Sequence, residues 1–159
     1  MPTMKPVKII TKAFSSFLWV GYVPVAPGTV GSLAGAVVWF VMPYKTIRVR
    51  LPVVLLFFLI GLVVAALEEK ETNKKDPRNV VIDEVVGMWI LFMLIGCMYF
   101  KDSIPKTATA FVLFRVFDVA KIPPMRMIEK IHGGLGVMLD DVVAAIYSAI
   151  VVNLVFFFL

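Results

Sequence analysis

Asp83-Glu84 opens the apolar run VVGMWILFMLIG, and Asp140-Asp141 opens VVAAIYSAIVVNLVFFFL. Carboxylates that border or enter hydrocarbon are costly unless they are paired or functional, so two such pairs predict a carboxylate site for a metal ion at a membrane surface. The plainer alternative for the first pair is that one carboxylate simply caps the helix and complements its dipole. Adjacent helical residues diverge by about 100°, so both members need not serve one site. Arg115 and Asp118, three apart in FVLFRVFDVAK, share a helical face, and Lys121 extends the row. Two roles suit them: a salt bridge that holds a bundle together, or Asp118 on a metal with Arg115 and Lys121 receiving phosphate oxygens.

Two glycine-rich stretches add backbone donors. VPVAPGTVGSLAG is punctuated by Pro24, Pro27, Gly28 and Gly31, and Ser32 is placed to N-cap the apolar helix that follows. Free amides at such a start make an anion site, and a tight re-entrant turn would use the same residues. His132-Gly133-Gly134 with Gly136 reads as a break between a helix over 124–131 and the last helix, or gives His132 a proton-transfer or phosphate-contact role. The chain contains no GxxxxGK[ST] loop, HExxH pair, Ser/His/Asp elbow or Cys/His cluster.

The elements that carry these groups belong in lipid. The 159 residues are 60% apolar, well above the roughly 45–50% of soluble domains, and amount to about one domain. MPTMKPVKIITKAF lacks the apolar core and cleavage site of a secretory signal, so the apolar segments are expected to be retained. The lone Cys97 excludes an intramolecular disulfide and reads as a packed small residue. A net charge of +5 is carried beside apolar runs, which favours anionic headgroups over nucleic acid as the partner.

Apolar runs fall near 32–42, 51–67, 85–100, 107–120 and 142–159, several of them short of the ~20 residues that cross a bilayer. Over residues 5–18, Lys5, Lys8 and Lys12 share one face while Ile9, Ile10, Phe14, Phe17 and Leu18 occupy the other. That pattern predicts a helix lying in the interface, with Trp19 and Tyr22 as anchors, although a surface helix of a soluble domain shows it too. If every run crosses, ten Lys and Arg (Lys5, Lys8, Lys12, Lys70, Lys74, Lys75, Arg78, Lys121, Arg126, Lys130) lie on one side. Five (Lys45, Arg48, Arg50, Lys101, Lys106) lie on the other. The first side is then cytoplasmic, and both acidic pairs, Asp118 and the glycine loops converge there. The expected fold is an all-α, compact multi-helix membrane bundle. It is one domain over 1–159, with an interfacial helix over 1–20, a catalytic bundle over 21–159, and some helices short or partly re-entrant.

Taken together, PVAPGTVGSL, IDEVVGMW, FRVFDVAK and HGGLGVMLDDVVAA resemble the motif series of the phosphatidylglycerophosphatase A family, in order and spacing across 21–147. The resemblance implies magnesium-dependent removal of the terminal phosphate of phosphatidylglycerophosphate, giving phosphatidylglycerol, at the bacterial inner membrane. It carries over to Asp83, Glu84, Arg115, Asp118, Lys121, His132, Asp140 and Asp141, with the Pro27-Gly28-Thr29 turn. Lys121 is followed by Ile122-Pro123-Pro124 where the family often has Pro-aromatic-Pro, and Trp19 stands where glycine is common.

The expectation is Mg²⁺ held by carboxylates drawn from Asp83, Glu84, Asp118, Asp140 and Asp141, with His132 beside them in the chemistry. Arg115, Lys121 and the backbone of Pro27, Gly28, Thr29, Gly133 and Gly134 would take the phosphate. Five acids exceed what Mg²⁺ needs as direct ligands, so some serve as bases or supports, and either water or a carboxylate could be the nucleophile. A lipid kinase or phosphatidyltransferase, a cation- or proton-coupled transporter, and a structural subunit are the alternatives. A transporter predicts mid-span acids and repeat symmetry. The sequence leaves the oligomeric state open.

Overall fold

The computed structural model describes residues 6–99 and 104–158; Lys5 and Lys101 lie outside them. Among the described residues the chain is all helical, with seven α-helices and no strand. They are α1 (Pro6–Ser15), α2 (Pro27–Val41), α3 (Ile47–Thr72), α4 (Ile82–Leu94), α5 (Ile104–Ala120), α6 (Met125–Ile128) and α7 (Gly134–Phe158). A short 3-10 turn, Val20–Tyr22, precedes α2.

Helix length sorts these elements. α3, of 26 residues, and α7, of 25, are apolar and rise about 39 and 37 Å, enough to cross hydrocarbon ~30 Å thick. α2, α4 and α5, with 15, 13 and 17 residues, rise only about 22, 20 and 25 Å. The two long apolar helices and the apolar composition suit a membrane protein.

α4 is apolar on all sides past its first turn, and such a helix must be enclosed. It is: α2, α3, α5 and α7 pack around it, with its broadest contacts on α2 and α7. Trp89 fills the centre of the core, its indole N–H donating to the Gly35 carbonyl at 2.8 Å while Phe17 and Phe57 meet its ring edge-on. Cys97 is buried, as expected.

The connections divide between two ends of the bundle. At one end Val81 N–H bonds Ser15 O, Lys8 pairs with Glu71 at 3.1 Å, and Gly133 N–H bonds Glu69 at 2.6 Å. At the other, Trp39 donates to Cys97 O and Arg50 to Tyr44 O. The acidic pairs and glycine loops therefore share an end, as the alternation of connections requires.

Several local expectations are corrected. Ser32 does not cap α2. The helix begins at Pro27, whose fixed φ suits the first helical position, and Ser32 sits a turn inside with its hydroxyl on Gly28 O at 2.9 Å. α7 begins at Gly134, at the expected glycine break, so Asp140-Asp141 open the apolar run from within its second turn, past the helix start. The expected 124–131 helix is α-helical only over Met125–Ile128. On α1, Val7, Ile10 and Phe14 are exposed and Lys8 and Lys12 both face Glu71 of α3, while Phe17, past the end of the helix, turns inward onto Trp89.

Candidate active site

The first turn of α4 supplies Asp83 and Glu84, and the second turn of α7 supplies Asp141. Ligand oxygens of all three lie within 4.8 Å of one another. Two positions without side chains allow this approach. A Cβ on Gly87 would sit 2.8 Å from Phe114 and 3.1 Å from the Asp141 Cβ, so α4 can lie close against α5 and α7 only with glycine there. A Cβ on Gly28 would collide with Glu84 Oε1 and sit 3.1 Å from Arg115, so the start of α2 presses directly on the acid cluster.

Arg115 is the hub of the neighbouring charges. Its Nη1 lies 3.0 Å from Asp118, 4.0 Å from Glu84, and donates to Ser32 Oγ at 3.2 Å. Lys121 bonds Asp140 and sits 3.4 Å from Glu129. Burial works against the Lys121 ammonium, but the Asp140 hydrogen bond and the charges of Asp140, Glu129 and Asp76 outweigh it and raise the pKa above 10.5. Lys121 therefore stays an ammonium at working pH, able to hold an anion but not to transfer a proton.

One oxygen of each of Asp83, Glu84, Asp140 and Asp141 is buried without a hydrogen-bond partner, as is Arg115 Nε. Buried carboxylates so close together and so poorly satisfied are costly unless something positive joins them. The donor set is oxygen only, without His or Cys, and suits a hard divalent cation such as Mg²⁺. Beside the cluster lies a cleft of about 880 Å³ lined by the Pro27-Gly28-Thr29 turn, Tyr22, Arg78, Asn79 and Arg115. The first amides of α2, with no preceding turn to bond and no side-chain cap, belong to its wall.

A family model described as phosphatidylglycerophosphatase A matches residues 13–156. The chain belongs to this family. A phosphatidylglycerophosphatase A of Escherichia coli K12 is 35% identical over 130 residues, covering 81% of this chain and 73% of that protein. One of Haemophilus influenzae is 34% identical over 151 residues, covering 94% and 88%. A Bacteroides thetaiotaomicron protein named as a candidate phosphatidylinositol-3-phosphatase is 34% identical over 157 residues, covering 95% and 93%. No solved structure matches significantly. Family membership makes the chain a phosphatidylglycerophosphatase-type phosphoric monoester hydrolase.

The residues expected to act together are thus distributed unevenly. Asp83, Glu84 and Asp141 form the cluster; Asp118 lies against Asp141 and pairs with Arg115, and Asp140 is turned to Lys121. His132 is exposed on the loop before α7, without a hydrogen bond or ion pair among the described residues. The Gly133 amide is engaged by Glu69, while Gly134 is buried at the start of α7. Sequence reasoning missed Glu69, Glu129, Ser32 as the support of Arg115, and the 76–79 segment. Asp76 lies in electrostatic reach of Asp83, Asp118 and Lys121, and Arg78 and Asn79 line the cleft. The one available signal was DPRN, separated from IDE only by Val80-Val81, a charged turn feeding the acidic helix start.

Proposed function

We propose that the chain hydrolyses phosphatidylglycerophosphate to phosphatidylglycerol and inorganic phosphate in phospholipid biosynthesis, at a Mg²⁺-dependent site on the cytoplasmic face of the bacterial inner membrane. The observation that carries this reading is the meeting of Asp83, Glu84 and Asp141, with unpartnered buried oxygens, beside Arg115 and an open cleft. These three acids would hold the cation, which when bound neutralises phosphate charge and polarises the phosphoryl group.

Arg115, oriented by Asp118 and Ser32, offers a planar fork to two non-bridging oxygens. The first amides of α2 and the Lys121 ammonium add positive potential where charge grows in the transition state. A carboxylate of the cluster takes a proton from water as its oxygen attacks phosphorus. The P–O bond to the glycerol breaks, and the departing oxygen takes up the proton that the carboxylate accepted, giving the alcohol and inorganic phosphate. Gly28 keeps the α2 turn close enough for all three kinds of group to reach one phosphate.

With the helices taken as crossing, the excess of basic residues at the acid-bearing end, ten against five, supports a multi-pass chain with that end in the cytoplasm. A cysteine introduced by Lys74→Cys should be labelled by an impermeant thiol reagent only in inverted vesicles. The Bacteroides relative supports a second substrate, phosphatidylinositol 3-phosphate, because it aligns with nearly the whole chain. The deciding experiment measures phosphate release from both lipids by the purified protein, with Mg²⁺ and with chelator. Higher kcat/KM on phosphatidylglycerophosphate, lost on chelation, supports the first reading. A preference for the inositol lipid replaces its substrate, and turnover indifferent to chelation removes the cation.

A further inference from the structure

α2 and α5 both pack on α4 but scarcely touch one another. The gap between them is a groove of about 590 Å³, with Phe92 of α4 as its floor, Ala36 and Phe40 on one wall, and Ala108 and Phe111 on the other. Among its lining residues only Thr107 is polar, and that hydroxyl is turned to Cys97 Sγ at 3.9 Å. The two alanines keep the slot from being filled by the protein's own side chains.

The groove does not end blindly toward the active site. A second apolar hollow of about 540 Å³ shares Phe111 and Val112 with it, and shares Thr29, Arg115 and Val119 with the charged cleft. Three hollows thus form one path from a cationic mouth to an apolar floor. Along α5, the eleven steps from Arg115 to Ile104 rise about 16 Å, close to half of a ~30 Å hydrocarbon core. Leu33, Val37 and Val112 on its rim are exposed, so the path is open sideways to lipid.

Resting on the phosphatase reading above, we propose that this path seats one acyl chain of the lipid substrate, which enters at Thr29 and Arg115 and ends against Phe40 and Ile104. A phosphate held at Arg115 leaves its glycerol at the headgroup level, and the chain beneath it then lies at the depth it already has in the leaflet. Substrate enters laterally, without extraction from the bilayer. The same groove makes chain length and bulk a determinant of turnover, since a buried methylene in a shaped apolar pocket is felt in kcat/KM.

Ala108→Trp fills the slot from the α5 wall. In detergent micelles, the variant should lose about tenfold or more in kcat/KM on dioleoyl phosphatidylglycerophosphate while staying within about twofold of wild type on the dihexanoyl lipid. Retained short-chain turnover also shows that the variant is folded. Equal losses on both lipids, or no loss on either, overturn the assignment. Wild-type protein inactive on both would sink the phosphatase reading instead, and photolabelling then judges the groove by itself. Phosphatidic acid carrying a diazirine in its acyl chain should label α2 and α5 between Leu33 and Val112, and label Ala108→Trp far less. Labelling no stronger than that by a diazirine phosphatidylcholine marks ordinary boundary lipid and overturns it. An Ala108→Cys protein that crosslinks two copies also overturns it, because the groove is then a protein interface.

Discussion

The two ends of the bundle treat buried charge in opposite ways. At the end away from the acids, Arg50 is wholly buried with no ion pair to a carboxylate among the described residues, yet its guanidinium donates to Tyr44 O at 2.8 Å and Trp39 O at 2.9 Å. It also lies 4.0 Å from the centre of the Trp39 ring. Lys45 caps the Phe40 carbonyl near the end of α2, and Lys106 caps Ile95 O at the end of α4 at 2.8 Å. Each cation sits on the negative pole of a helix and satisfies carbonyls that have no further turn to bond. At the acid end, five carboxylates among the described residues, Glu68, Asp83, Glu84, Asp140 and Asp141, each keep a buried oxygen without a partner. Charges with their bonds complete hold architecture together; charges assembled and left incomplete are prepared for a ligand.

The sharpest way to break this contrast is to neutralise one charge at each end. Asp141→Asn should cut kcat by on the order of 100-fold or more, while the melting temperature holds or rises as like-charge repulsion is relieved. Arg50→Met should do the reverse, costing about 3 kcal/mol of stability through orphaned carbonyls and lost packing. Turnover per folded molecule would stay within about twofold. If Arg50→Met silences folded enzyme, or Asp141→Asn unfolds it, the division of labour is wrong.

Next in size, Arg115→Lys should reduce kcat/KM by on the order of tenfold to 100-fold, because an ammonium cannot offer two parallel donors to a phosphate while also holding Asp118 and Ser32. Gly28→Ala should cost about tenfold, since its methyl displaces Glu84 or forces α2 away from Arg115; steady-state kinetics on both variants ranks them. Without turnover, Mg²⁺ should raise the melting temperature of wild type, by about 2.7 kcal/mol of stabilisation at 100 times its Kd, and should leave Asp141→Asn unmoved. A shift of equal size in the variant would remove Asp141 from the cation site. Smallest of all, Lys106→Met should lower stability by about 1 kcal/mol with activity unchanged, as loss of a helix C-terminal cation predicts.

The apolar runs and their polar punctuation were enough to read the helices, because burial in lipid demands continuous apolar stretches and backbone satisfied within each segment. Boundaries were less legible. α7 starts eight residues before its apolar run because Gly134 and Gly136 pack where side chains would clash, which sequence displays only as a glycine cluster. Arg115 and Asp118 could be paired in advance, since three-residue spacing sets a helical face. The partnership of Lys121 with Asp140, nineteen residues on, could not. Asp76 and Glu69 escaped notice because each lies on or beside a polar connection, where one more acid carries no signal of its own.

What the sequence by itself determined is the kind of molecule: an apolar all-helical chain with too many acids at the ends of its helices, in motifs that mark a lipid phosphatase family. Tertiary structure alone decided which acids act together. Local spacing sets the direction of a side chain on its own helix, but Asp83 and Glu84 meet Asp141 only where α4 and α7 pack, with Gly87 permitting the approach. Distances between helices are fixed by packing across the whole core, a sum that no single segment contains.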